Sequence, residues 1–271
     1  MAALNGIVTR LFDVICGPLG GHAAWAMVLI SAVTGLWAMW LFKLATPQRR
    51  LARQRDRLLG HIYEMGMYQD HLGVLARIQK DLALANLRYL SLTLPALLVL
   101  IVPMVLTLAQ LEGRFAHRPL KTGESAVLRV GWTDGADPAA VDLRLPDGLE
   151  LAAGPVRDPA TGQAAWRLRA LEAGRWPVTV TAAGEPCARA VITVGGGLPL
   201  LGGRLGATWW EKLLYPGWQP LPAGSPVATL DVDYPSRSTT YLGVELNWLV
   251  AFMILSLATG LAMKDALGVE L

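Results

Sequence analysis

The chain has 271 residues, 53% of them hydrophobic and 17% charged, with a formal net charge of +3. This balance favours a membrane protein over a soluble one. The two cysteines form no metal-binding spacing.

The first stretch, 1–22, contains Leu4–Cys16, in which Leu4, Ile7, Val8, Leu11, Phe12 and Ile15 recur at helical spacing. Gly17-Pro18 ends the run. An amphipathic helix just before an apolar span lies flat in the membrane interface, or else forms the first turns of a longer span. Ala23–Phe42 follows, about 20 residues almost free of charge, enough to cross the ~30 Å hydrocarbon layer. No basic leader or cleavage site marks it as a signal peptide, so it reads as a retained span (23–42).

The segment 43–88 carries nine basic and four acidic residues. Thr46-Pro47 has the chemistry of a helix start. Leu51, Leu58, Ile62 and Met65 form one apolar stripe, and Leu72, Leu75, Ile78, Leu82 and Ala85 a second. Gly66 and Gly73 bracket a turn between them, which predicts an antiparallel, coiled-coil-like hairpin. The second span, 89–110, carries Pro95 and Pro103, and Asn86, Ser91, Thr93, Thr107 and Gln110 give it a partly polar face.

The long segment from Leu111 to Val244 balances thirteen basic residues against thirteen acidic ones. Alternating runs at Ala126–Gly131, Val141–Leu145, Ala165–Ala170, Trp176–Thr181 and Ala188–Val194 are separated by turn residues. They predict a β-sandwich of immunoglobulin-like architecture over 111–197, without the Cys…Trp…Cys core. Gly195–Gly203 reads as a flexible linker, because its glycines lack the Lys-Ser/Thr ending of a phosphate loop. Within 198–244, Ala207–Tyr215 predicts a short interfacial helix, with Trp209, Trp210, Tyr215 and Trp218 as membrane anchors. Val227–Tyr234 alternates again and reads as an added strand. Trp248 marks one end of the third span, 245–264, and a tail 265–271 follows.

The excess of positive charge between the first two spans places 43–88 and the tail in the cytoplasm. The N-terminus and the long segment then face out, in an inner (cytoplasmic) membrane. Net charge is explained by this orientation, so no nucleic-acid partner is expected. Cys16 and Cys187 fall on the outward side, where a disulfide is permitted; both read as unpaired. His22, His61, His71 and His117 are scattered, and no catalytic motif or buried acid pair is legible. The expectation is no enzyme, no cofactor and no metal.

The stretches TPQRRLARQRDRLLGHIYEM and LARIQKDLALANLRYLSLTLP, with the three-span layout around them, resemble the YidC/Oxa-type insertase superfamily. The likeness is to its three-span members, the archaeal insertase-like proteins and the insertase subunit of the ER membrane complex, and it covers about half the chain. It departs from the bacterial pattern in lacking a cation deep in any span and in carrying its β-domain between the second and third spans. The resemblance implies a hydrated groove open to cytoplasm and lipid that lowers the barrier to moving polar segments of a client. Lys43, Arg88 and Lys264 would attract acidic client ends or lipid phosphates, and Asn86, Ser91, Thr93, Thr34 and Ser256 would hydrate the groove. Plain membrane anchoring by the cations and helix packing by the small polar residues are the alternatives. Partners would be membrane lipids and nascent membrane proteins. A non-catalytic scaffold subunit, docking resident membrane-complex subunits through hairpin and β-domain, is the second reading. A ligand-binding sensor or adhesin is the third.

Overall fold

The structure, a computed structural model, describes residues 2–68, 72–132, 141–158, 160–182, 184–202, 225–241 and 243–269. The chain divides into two compact units, Met1–Met27 with Val105–Ala251 and Val28–Met104 with Phe252–Leu271. Three helices are long and apolar enough to cross a membrane.

In the first unit, helix α1 (Ala2–Cys16) carries its apolar residues at the helical spacing the sequence predicts. Phe12 and Cys16 are buried, while Ile7, Leu11 and Val14 are exposed. At about 100° per residue these are the two edges of one apolar arc, joined by the half-buried Val8 and Ile15, with one edge packed and the other free. Both cysteines of the chain are unpaired.

The β-domain begins after a π-helical turn, Glu112–Ala116. Strands β1 (Ser125–Trp132), β2 (Val141–Arg144), β3 (Leu149–Asp158), β4 (Gln163–Ala170), β5 (Gly174–Ala182), β6 (Glu185–Val194) and β7 (Val227–Val232) form two antiparallel sheets, ordered β3-β4-β1-β7 and β2-β5-β6. A small hairpin, β8 (Thr239–Tyr241) and β9 (Val244–Leu246), follows. Alternation supplies the core: Leu128, Val130, Trp166, Leu168, Val178, Val180, Ala190, Ile192 and Leu230 are buried in one cluster fed by both sheets. Opposite pairs such as Leu128 with Trp166 and Val178 with Ala190 set the register.

Two features depart from the sequence reading. Strand β3 is an additional strand, because its pairing with β4 shifts between Leu151 and Ala153 and again between Ala153 and Val156. Such bulges erase the period of two, and Pro155 is tolerated because β3 is an edge. The glycine-rich linker is not loose: Leu198 and Leu201 are buried, and Leu201 belongs to the β-domain core. The expected strand at Val227–Tyr234 is β7, paired with β1. The predicted interfacial helix, with Trp209, Trp210, Tyr215 and Trp218, lies outside the described residues.

The remaining helices carry the second unit. They are α2 (Ala23–Ala45), α3 (Gln48–Met67), α4 (Leu72–Leu111) and α5 (Trp248–Leu267). The second arm of the hairpin and the second span are one 40-residue helix, with Pro95 and Pro103 inside it. The reason is a continuous seam: Ile78, Ala85 and Ala96 are buried, and Leu75, Leu82, Tyr89 and Leu92 half-buried, at alternating spacings of three and four. On α3, Leu51 is buried and Leu58 and Met65 are half-buried, but Ile62 is exposed. Thr46 does not cap α3. The first turn bonds to the carbonyl of Pro47 instead, and the buried Thr46 hydroxyl has no partner among the described residues.

Candidate functional site

The residues expected to line a groove separate into three sets. Asn86, Arg88, Ser91 and Thr93 all lie on α4. Two residues of helix turn a side chain by about 200°, so Arg88 and Ser91 stand opposite Asn86 and Thr93 rather than beside them. Asn86 and Thr93 flank the protected seam. Arg88 and Ser91 are exposed among Leu84, Leu87, Leu98 and Val102, which are exposed too. The hydroxyls of Ser91 and Thr93 donate to the carbonyls of Arg88 and Leu90 on their own helix. That is the usual way a small polar side chain is satisfied in an apolar setting.

Thr34 and Ser256 face a different task. Ser31, Thr34 and Gly35 are buried on α2. A methyl group on Gly35 would collide with the carbonyl of Ser256 and stand 3.1 Å from the amide nitrogen of Gly260. The same pattern, Ser-x-x-Thr-Gly, occurs in both helices, as Ser31–Gly35 and as Ser256–Gly260. These small residues let two backbones approach closely. The Thr34 and Ser256 positions therefore belong to a closed helix–helix seam and do not line an opening.

Lys43 is committed as well. Its Nζ donates to the carbonyl of Leu267 at 2.6 Å, the last residue of α5. There Gly268 takes a left-handed conformation, and Val269 N–H donates to the carbonyl of Lys264. This is a Schellman ending, and Lys43 adds a cation where the helix terminus is rich in free carbonyls. Lys264 lies 4.0 Å from Asp265, at the surface. Trp248, the first residue of α5, is half-buried.

The sequence reading missed Arg114. It sits in the π-helical turn after α4 and is only 1% exposed. Its Nη2 donates to Asp13 Oδ1 at 2.7 Å and its Nη1 to the carbonyl of Leu198 at 3.1 Å. One helical turn earlier, Gln110 Nε2 donates to Thr9 Oγ1 at 2.8 Å. Gly113 accepts a hydrogen bond from Leu201 N–H at 2.7 Å, and a side chain there would stand 2.6 Å from Leu200 Cδ1. The result is a clasp joining α1, the end of α4 and the segment after β6. Its signal was two polar pairs of matching spacing, Thr9/Asp13 and Gln110/Arg114. Burial pushes the Cys16 thiol above its usual range, against an opposing pull from Arg114. Among the described residues no group of three or more His, Cys, Asp or Glu could hold a metal.

Comparison with family models, with curated proteins and with solved structures finds no match for this chain.

Proposed function

We propose that the chain is a membrane protein insertase or membrane chaperone, a three-span relative of the YidC/Oxa superfamily, with α3 and the first half of α4 in the cytoplasm. The β-domain, read as an immunoglobulin-like sandwich, then faces the other side with the N-terminus. One observation carries this reading. Arg88 and Ser91 sit exposed on an otherwise apolar, exposed face of α4, where the apolar stretch of the helix begins. A polar flank of a client meets a cation and a hydroxyl there, while its apolar segment slides along Leu87, Leu94 and Leu98. Burying the apolar part supplies the driving force, and the polar groups lower the cost of carrying the flank through hydrocarbon. No nucleotide is required.

A scaffold subunit is the second reading. It is favoured by the closed packing of Gly35 against Ser256 and by the engagement of Lys43 with α5, which remove three of the expected groove residues. Photocrosslinkers placed at Arg88 and Ser91, with Asn86 and Thr93 as opposite-face controls, separate the two during synthesis of short-tailed membrane proteins. Adducts to many different nascent chains, confined to Arg88 and Ser91, support insertion. Adducts to one or two resident proteins from all four positions make the chain a scaffold.

A further inference from the structure

Three segments of the chain meet just past the end of α4. His117 pairs with Ser236, the Arg118 N–H donates to the Pro235 carbonyl, and the Arg237 N–H donates to the Ala116 carbonyl. The segment after β6 completes the group. The Gly195 N–H donates to the Leu120 carbonyl, and a methyl group on Gly20 would stand 3.5 Å from the Cα of Gly197. Gly20 lies just before α2, and Ala116 closes the apolar helical run Gly73–Ala116. The start of one span and the end of the next lie on the same side of a membrane, so this junction stands at the depth of the lipid headgroups.

Arg237 is half-buried in the junction. Its Nε donates to the His117 carbonyl at 3.3 Å and its Nη2 to the Gly197 carbonyl at 2.9 Å. Those bonds occupy one edge of the guanidinium and fix its orientation. The end edge, with one N–H from each terminal nitrogen, has no acceptor among the described residues. No carboxylate among them is ion-paired with Arg237 either. Burial lowers its pKa, and the cation of Arg118 adds to that effect. Arg118 lies on the same face, two places along in the pairing, and is taken up by Glu124 through bonds of 2.8 and 3.0 Å. The exposed Lys121 follows. A general preference for cations at span ends accounts for arginines whose tips reach water. It does not account for one that is half-buried, held by two carbonyls and left without a counter-ion.

We propose that the free edge of Arg237 binds the phosphate of an anionic phospholipid headgroup, in the leaflet on the β-domain's side. Two parallel N–H groups match two phosphate oxygens, and the anion offsets a charge that burial has partly stripped of water. Lys121 adds attraction from nearby. Position favours a lipid over a soluble anion, because headgroup phosphates are concentrated at this depth. Trp25, 65% exposed in the first turn of α2, offers an apolar contact at the same level. The site does not depend on which side is cytoplasmic, so it stands apart from the insertase reading.

The test is native mass spectrometry of the full chain in a nonionic detergent. It is titrated with phosphatidylglycerol, with the diacylglycerol of the same chains, and with inorganic phosphate. Phosphatidylglycerol should bind about 10-fold or more tightly than either. Arg237→Gln, which can still donate to one carbonyl, should weaken it about 10- to 100-fold, and Arg237→Lys, which keeps the charge without the fork, about 3- to 10-fold. Lys121→Gln leaves the carbonyl bonds of Arg237 intact and should cost about 2- to 5-fold. Arg167→Gln, exposed on β4, should change nothing. Bound lipid should also slow amide exchange over residues 195–198 and 235–238. Undiminished affinity in folded Arg237→Gln overturns the proposal. If that variant loses its near-ultraviolet spectrum, Arg237→Lys and Lys121→Gln carry the test, and wild-type affinity in both overturns it. Diacylglycerol bound as tightly as phosphatidylglycerol would assign the contact to lipid tails, and inorganic phosphate bound as tightly would make this a soluble-anion site. Either result overturns the lipid assignment.

Discussion

The clasp around Arg114 makes an asymmetric prediction. The guanidinium is 1% exposed, but the side chain of its partner Asp13 is 58% exposed. Asp13→Ala leaves a buried cation with carbonyl acceptors only. Removing one partner of a fully buried pair costs about 3–5 kcal/mol, and the hydrated end of this one lowers that to about 2–3 kcal/mol. Arg114→Met is milder. Asp13 turns to water, methionine fills the space, and the main loss is the bond to the Leu198 carbonyl, about 1 kcal/mol. Two changes of equal charge magnitude thus have unequal effects. Amide exchange in α1 reads the difference, because opening of the clasp exposes that helix. Asp13→Ala should speed exchange over residues 6–16 about 30- to 150-fold and Arg114→Met about 5-fold. The double variant should match Arg114→Met and not the sum, since Asp13→Ala is harmful only while the guanidinium is present. Equal effects of the two single changes, or a larger one for Arg114→Met, would refute the argument.

Gly35→Val should weaken the α2–α5 seam by about 1–3 kcal/mol, seen as a lower unfolding midpoint in detergent. Gly60→Ala, where nothing lies within 4 Å of the added methyl, should be neutral or stabilising. In the β-domain, Gly148→Ala would drive a methyl into the Trp176 ring and disturb its bond to the Glu172 carbonyl, so the near-ultraviolet spectrum should change and stability fall by about 1–3 kcal/mol. Glu124 is held at about 2, well below its ordinary 4.5, chiefly by a two-point pairing with Arg118 and also by the Lys121 amide. A lowered carboxylate stabilises fully above its unfolded value and loses that contribution as pH falls toward about 2. Glu124→Gln should therefore flatten the acid limb of unfolding between those values, by no more than about 1 kcal/mol for so exposed a pair, and a pH series of melting curves checks it.

The parts legible in the sequence were those with an unbroken period. Ala126–Gly131 and Ala165–Ala170 alternate cleanly and fall inside β1 and β4, and the seam of α4 runs from the hairpin straight into the span. Strand β3 escaped because its bulges spoil the alternation. The linker escaped because glycines suggest looseness, whereas Leu198 and Leu201 carry the packing. The site was harder to read. Asn86, Arg88, Ser91 and Thr93 look like one polar face when only composition is considered, yet helical rotation puts them on opposite sides. Arg114 escaped because Thr9 and Asp13, its partners, lie about a hundred positions earlier, and the matching spacing of the two polar pairs does not by itself say that they meet.

The repeated Ser-x-x-Thr-Gly pattern narrows where a client could travel. Contacts pass from Gly35 with Ser256 and Gly260 to Lys43 with Leu267, so α2 and α5 run in the same direction. Two parallel helices that bring matching glycines together leave no room between them. The cation at the end of that seam is spent on a helix terminus. On the proposed function a client's track then runs along α4, whose face bearing Arg88 and Ser91 is exposed. On the proposed insertase reading the closed α2–α5 seam leaves the exposed, partly polar face of α4 for a client, whereas on the scaffold reading that seam is a helix-packing surface and nothing more.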